Sequence, residues 1–326
     1  VLSIAHLRDL NNQKGEISSV HSFSLTGNTL DNRGGNLISN DQLTLNATRL
    51  NNQGGLVSGW NKLAVAGGSL DNSQEGTLSS LLGNLNINLS GALINNAKGG
   101  LAGLGDVSIT AASLDNSNGI VTSGGKQTLT MTQGAINNAS GGLIESSGTL
   151  AISATSLNNA SGNVTANKAL TFTGTSLDNS NGSLVGEDSI TLDLLGTLTN
   201  IKGALGSTGP LVVKRSSSID NQGGQLLSQG LLSLLTASLN NSLEGTVAAN
   251  GQLDLTATGS VRNDAGGLIS SRDAGVNVKA ASLNNAGGAL QSQGALTLDV
   301  KGGAGNVEEV KVGGAAVLVA RGEVTF

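Results

Sequence analysis

Aliphatic and polar residues alternate in short bursts along the whole chain. Leu43-Thr44-Leu45-Asn46-Ala47 reads apolar, polar, apolar, polar, small, the period-two pattern of a strand with one buried face. Glycine pairs such as Gly34-Gly35, Gly54-Gly55 and Gly141-Gly142 separate the bursts and predict turns. No segment carries an i, i+3, i+4, i+7 stripe, so the pattern predicts strands and no helix.

The bursts recur. LNNQKGEISS begins at Leu10, LDNRGGNLIS at Leu30 and LNNQGGLVSG at Leu50. Each phrase is an aliphatic residue followed two positions later by Asn. Starts fall at Leu10, Leu30, Leu50, Leu70, Ile94, Leu114, Ile136, Leu157, Leu177, Leu198, Ile219, Leu239, Val261 and Leu283, with intervals of 20–24 residues averaging 21. A second aliphatic column lies seven residues on, at Ile17, Leu37, Val57, Leu101, Val121, Leu143, Val164, Leu184, Leu205, Leu226, Leu268 and Leu290. Leu78 and Val247 fill it at eight, after the unusual turns SQEG and SLEG. A third column lies fifteen on, from Leu25, Leu45, Val65 and Leu85 to Val276 and Leu298; Ala151 and Asp254 break it, with Ile152 and Leu253 or Leu255 as substitutes.

A strand pattern repeating every ~20 residues is too short for a propeller blade and lacks the leucine-rich consensus. It fits an all-β, right-handed parallel β-helix, a solenoid of about 14 coils with ~21 residues per coil, handed as parallel crossovers generally are. At ~4.8 Å per coil the expected rod is roughly 65–70 Å long. Residues 1–300 form the repeat region. Residues 301–326 keep alternating apolar positions but lose the phrase, and are expected to form a degenerate coil, a cap or the start of a following region.

Asn stands two after every start: Asn12, Asn32, Asn52, Asn72, Asn96, Asn116, Asn138, Asn159, Asn179, Asn200, Asn221, Asn241, Asn263 and Asn285. In a stack these amides form a structural ladder, each donating to one neighbour and accepting from the other, which satisfies buried polar groups. A ligand-binding row of amides is the competing reading. The position before carries Asp31, Asp71, Asp115, Asp178 and Asp220, never in consecutive coils. Adjacent carboxylates ~4.8 Å apart would repel by roughly 0.9 kcal/mol even in water.

Composition narrows the functions. Among 326 residues there are 49 glycines, one proline (Pro210) and four aromatics, Phe23, Trp60, Phe172 and Phe326, so the core is thin and aliphatic. Charged residues are 12% and the net charge is −5 without a basic cluster, which argues against nucleic acid or an anionic membrane as partner. No apolar run reaches the ~18 residues of a spanning helix, so no membrane insertion by this segment is expected. Val1 is not an initiator, and the chain reads as a fragment or processed product. There is no cysteine, which suits a chain that crosses an outer membrane unfolded.

Chemistry is sparse. Glu16, Glu75, Glu145, Glu187 and Glu244 are scattered through turns, and no facing carboxylate pair for glycoside cleavage is evident. His6 and His21, the only histidines, are too few for a metal site. No G-x-S-x-G or calcium nonapeptide occurs, and Gly302-Gly303-Ala304-Gly305 lacks the setting of a phosphate cradle. An ice-binding T-x-T array appears at Thr128/Thr130 and Thr171/Thr173 but gives way to Ala64/Ala66, Asn84/Asn86 and Val212/Lys214. No catalytic, cofactor or metal residue is assigned, and the chain is not read as an enzyme. Trp60, in a predicted turn between Gly59 and Asn61, is the one candidate binding residue.

Phrases such as SLDNSNGIVTSGG, SLNNASGNVTANKALTFTGTSLDNSNGSLV and LNNQGGLVSG resemble filamentous haemagglutinin-type repeats, over roughly residues 10–300. Such repeats belong to the large exoproteins of two-partner secretion systems, including adhesins and the stick-forming toxins of contact-dependent growth inhibition. The resemblance implies an outer-membrane transporter as partner and a place outside a Gram-negative cell, secreted or at its surface. It also implies a rigid shaft presenting a distal receptor-binding or toxin region to a host or target-cell receptor that the repeats do not identify. The alternatives are a direct adhesin binding glycan or protein along the shaft and, more distantly, a polysaccharide-degrading β-helix enzyme.

Overall fold

The computed structural model describes residues 2–301, 304–305 and 310–312. It is an all-β parallel solenoid of about 14 turns spaced about 21 residues apart, and no helix occurs among the described residues. The chain divides into two compact units, residues 1–167 and 168–326.

In the first unit a representative turn comprises the strand Gln42–Asn51, a tight corner and the strand Leu56–Gly59. The long strand pairs in parallel with Phe23–Asp31 on one side and Lys62–Asp71 on the other. The short one pairs with Asn36–Ser39 and Thr77–Ser80. Leu43, Leu45, Leu50 and Val57 face inward and are at most 2% exposed. Equivalent residues lie in register with their counterparts a turn away, as Leu25↔Leu45↔Val65 and Leu30↔Leu50↔Leu70 show. The second unit repeats the plan, with Ile190↔Leu211↔Leu232↔Leu253 inside.

The alternation predicted by sequence is therefore the burial pattern, with three corrections of register. The fifth phrase begins at Leu93, which pairs with both Leu70 and Leu114, while Ile94 pairs with Asp71 and Asp115. In the second column, Ile144 and Ile269 are fully buried where Leu143 and Leu268 were expected; the latter two lie half-buried at the preceding outward position. In the third column, Leu85 and Val276 belong to the neighbouring row with Leu63 and Leu253, and the row of Leu45 continues through Ile87 and Val278. Ile152 and Leu255 carry it where Ala151 and Asp254 point outward.

The first two corrections share a cause at the corner. Most corners place one residue in the left-handed region, such as Lys14 (φ 54°), Asn118 (φ 53°) and Ser161 (φ 57°). Others place two there in succession, Gln74-Glu75, Ala97-Lys98, Ser140-Gly141, Leu243-Glu244 and Ala265-Gly266. The second absorbs an inserted residue and delays the short strand by one. Only two of these insertions are announced by unusual composition.

Strands Ala304–Gly305 and Val310–Val312 pair with Leu283–Asn284 and Leu290–Ser292. The rest of 302–326, and with it the expected degenerate coil or cap, lies outside the described residues.

Candidate functional site

Three features hold the candidate chemistry: the amide column, the outer carboxylates and the surroundings of Trp60. The amides occupy the inner corner that follows the long strand. From Asn32 onward they are at most 1% exposed. In the first unit each side-chain Nδ2 donates to the Oδ1 of the next, Asn12 to Asn32, Asn52, Asn72, Asn95, Asn116, Asn138 and Asn159, at 2.7–2.8 Å. In the second, the same bonds run Asn179, Asn200, Asn221, Asn241, Asn263, Asn285 at 2.6–2.8 Å.

Most Nδ2 atoms also reach carbonyls of their own corner and of the next turn, as Asn52 does to Gly55 O (3.0 Å) and Thr77 O (3.1 Å). The amides thus tie corner to short strand and turn to turn, and leave no face open to a ligand. Asn96, expected in this column from the phrase, is not in it. Asn95 occupies the buried position, because the phrase begins one residue earlier than its Leu-x-Asn reading suggests. Asn96 is half-buried and donates instead to Asp115 Oδ2 at 2.7 Å.

A glycine column accompanies the amides, and sequence reasoning took it only for turn punctuation. A Cβ on Gly35 would sit 2.1 Å from Asn12 O and 2.8 Å from Asn32 Oδ1; on Gly55, 2.2 Å from Asn32 O. The φ of these residues is ordinary, so close backbone approach requires glycine here.

The outer carboxylates stay apart. Asp31, Asp71 and Asp115 are separated by Asn51 and Ile94, and Asp178 and Asp220 by Thr199. Each caps its own corner: Asp115 Oδ1 accepts from the Ser117 amide (3.1 Å) and hydroxyl (2.7 Å). Burial pushes the Asp115 carboxyl up, but bonds from Ser117, Asn96 and Asn137 outweigh it and hold it below the usual value. The Arg33 guanidinium does the same for Asp31. No group of three or more His, Asp or Glu able to hold a metal occurs among the described residues. His21 is exposed; the side chain of His6 lies outside the described residues.

Trp60 follows Leu56–Gly59 and is 45% exposed. Its amide donates to Ser39 O (2.9 Å), and its carbonyl accepts from Leu82 N (2.8 Å). On the next two turns stand Leu81, Leu82 and Leu104, 46–62% exposed. Together they form an apolar ridge across three turns. Beside it, Asp41 accepts from Ser22 Oγ (2.5 Å) and Asn61 Nδ2 (2.9 Å). The Ser22 bond, followed by that of Asn61, depresses the Asp41 pKa. The sequence singled out Trp60, but the leucines a turn away join it only once the register is known. Small outward residues leave shallow grooves beside the short strands, one of about 370 Å³ lined by Leu81, Ala102, Leu104 and Glu145, another of about 640 Å³ in the second unit lined by Gly206, Leu227, Ala248 and Arg272. Neither brings two carboxylates together.

A stack of near-identical parallel turns, internally cross-linked by amides, defines a repeat protein of the β-solenoid class. A model of the haemagglutinin repeat matches residues 4–85, 80–144, 122–202, 202–273 and 248–325, and the chain belongs to that family. No curated protein and no solved structure matches it. Family and fold fit an adhesin-type exoprotein, secreted or at the cell surface, in a two-partner secretion context. No helix among the described residues is long and apolar enough to cross a membrane.

Proposed function

We propose that this chain is a rigid extracellular shaft that presents a distal receptor-binding or toxin region of a larger exoprotein for contact with another cell. The observation that carries the reading is the use of the interior. In each turn the inward positions are taken up by contact with the turns before and after, aliphatic on aliphatic and amide on amide. Such a cross-section can be repeated to any length with little change, which is what a spacer needs. Growth-inhibition toxin and adhesin are both served by it.

Export fits the same construction. The partner is an outer-membrane transporter of a Gram-negative cell, and folding outside, turn upon turn, biases passage. Cysteines at the register partners Thr44 and Ala64 lie close enough for a disulfide once oxidised in the periplasm. The full exoprotein carrying this pair is expected to stall in export and to recover when oxidation is blocked; normal export of the oxidised form overturns the templated-export part.

The shaft itself is tested by deleting whole turns in register, for instance residues 170–189, from the full exoprotein. Contact efficiency should fall with each turn removed while Trp60→Ala leaves it unchanged. The ridge of Trp60, Leu81, Leu82 and Leu104 favours a second reading, direct adhesion by the shaft. In that case the isolated chain binds target cells and Trp60→Ala abolishes the binding.

A further inference from the structure

We propose that the outer face of the long strands in the first unit docks against the same face of a second copy of this chain. Two outward columns cross this face, from Ser24 and Thr26 on the strand Phe23–Asp31 to Ala151 and Ser153 on Leu150–Ser153. They span seven turns and consist of Ser, Thr, Asn and Ala, without one charged residue. The corresponding columns of the second unit hold Asp193, Arg215, Asp254, Lys279 and Asp299. The contrast matters because the centres of protein interfaces are depleted of charged residues.

Apart from Ser24, whose hydroxyl donates to Ser3 Oγ at 3.2 Å, the polar side chains at the middle of this face are uncommitted. Those of Asn86, Asn88, Thr128 and Thr130 make no hydrogen bond with any described residue, whereas the Asp and Asn side chains at the corners are bonded within the chain. Water satisfies these outward amides and hydroxyls in the free chain, and a partner replaces that water without loss when its own polar groups recur at the same spacing. Neighbouring turns lie about 4.8 Å apart, which an extended peptide laid along the stack, rising about 3.3 Å per residue, does not match. A second stack of parallel strands matches it turn for turn, as paired sheets do in zipper-like assemblies, and the first unit of a second copy supplies such a stack with an equally uncharged pair of columns, flanked on one side by Lys62, Asp106 and Lys126.

The size of the face sets the strength. Seven turns at about 4.8 Å and a strand width of about 13 Å give about 440 Å² per copy, or about 900 Å² for the pair, below the ~1,200 Å² of stable complexes. The association is therefore reversible and concentration-dependent for this chain alone, and it strengthens when neighbouring molecules are held side by side.

The natural absence of cysteine makes the test direct. Asn86 lies on the middle turn of the seven, so it meets its counterpart whether the two stacks run parallel or antiparallel. Asn86→Cys is expected to form an intermolecular disulfide at least tenfold faster than the control Thr256→Cys, at high protein concentration under mild oxidation. Sedimentation equilibrium of the unmodified chain should show monomer at micromolar and dimer towards millimolar concentration. Ala64→Lys and Thr128→Lys, each with an unchanged circular dichroism spectrum, should return it to monomer, and Asp254→Lys should not. Equal cross-linking rates for the two cysteine variants, a monomer at every concentration, or a dimer that survives both lysine variants would overturn the proposal.

Discussion

Gln127 is the sharpest test of the packing argument. It stands in the inward row between Val107 and Leu150, where other turns carry Phe, Leu, Val or Ile. It is 0% exposed, and neither its Nε2 nor its Oε1 has a hydrogen-bond partner among the described residues. An unsatisfied buried polar group costs about 1–3 kcal/mol, and this amide carries two. Leucine has a similar volume and no polar atom, so Gln127→Leu removes both penalties and adds apolar burial without overfilling the core. The expected gain is about 2–4 kcal/mol, at the scale of a large single-site effect.

The assay is urea unfolding followed by far-UV circular dichroism, combined with amide hydrogen exchange. A higher midpoint with unchanged slope reports stability rather than altered compactness. Exchange should slow most in Val107–Ala111 and Leu150–Ser153, the strands flanking the substituted turn. Gln127→Ala, which removes the amide but leaves a cavity, should gain less than Gln127→Leu. A Gln127→Leu chain no more stable than the parent would refute the reasoning, because the amide would then be satisfied by partners this packing does not contain.

Three further outcomes follow from the same structure. Asn95→Ala should cost about 2–3 kcal/mol by stranding the buried Asn116 Oδ1 and removing the bonds Asn95 makes with Asn72 Nδ2 and Ile120 O, while Asn96→Ala, which loses one half-buried bond, should cost about 1 kcal/mol; paired denaturation curves separate them. Gly55→Ala should prevent or severely weaken folding, because its Cβ would lie 2.2 Å from a backbone oxygen, whereas Gly206→Ala, with nothing within 4 Å, should leave the thermal midpoint unchanged. Asp115 has a folded pKa below its unfolded 3.8, so it contributes stability that is present above pH 3.8 and lost as pH falls through the folded value. Unfolding midpoints at pH 6 and pH 3 should therefore differ less in Asp115→Asn than in the parent.

The fold was legible because a solenoid turns sequence period into spatial register. Leu30, Leu50 and Leu70 are twenty apart and lie in one row for that reason. Legibility failed where an inserted residue left no compositional mark. SQEG and SLEG betray their extra residue, but Ser140-Gly141 and Ala265-Gly266 look like ordinary turns, and the shift to Ile144 and Ile269 went unread. At Leu93 two candidate phrases overlap, since both Asn95 and Asn96 follow an aliphatic residue by two. Burial alone chooses between them. Register also decides what shares the surface. The ice-binding comparison belongs at Asn86/Asn88 rather than Asn84/Asn86, since Ile87 holds the row. The leucines beside Trp60 are 21 to 44 residues away in the chain, and only stacking makes them neighbours.

The amide bonds within each unit all point one way, with nitrogen offered forward and oxygen backward. Every peptide-like dipole in the row therefore adds to the next, and the two ends are not equivalent. One end accepts and the other donates. A turn spliced in with its chain direction preserved finds its socket, while one placed upside down would set nitrogen against nitrogen. Shafts of this kind can be lengthened by gene duplication in tandem, but a head-to-head join needs an adaptor that reverses the polarity.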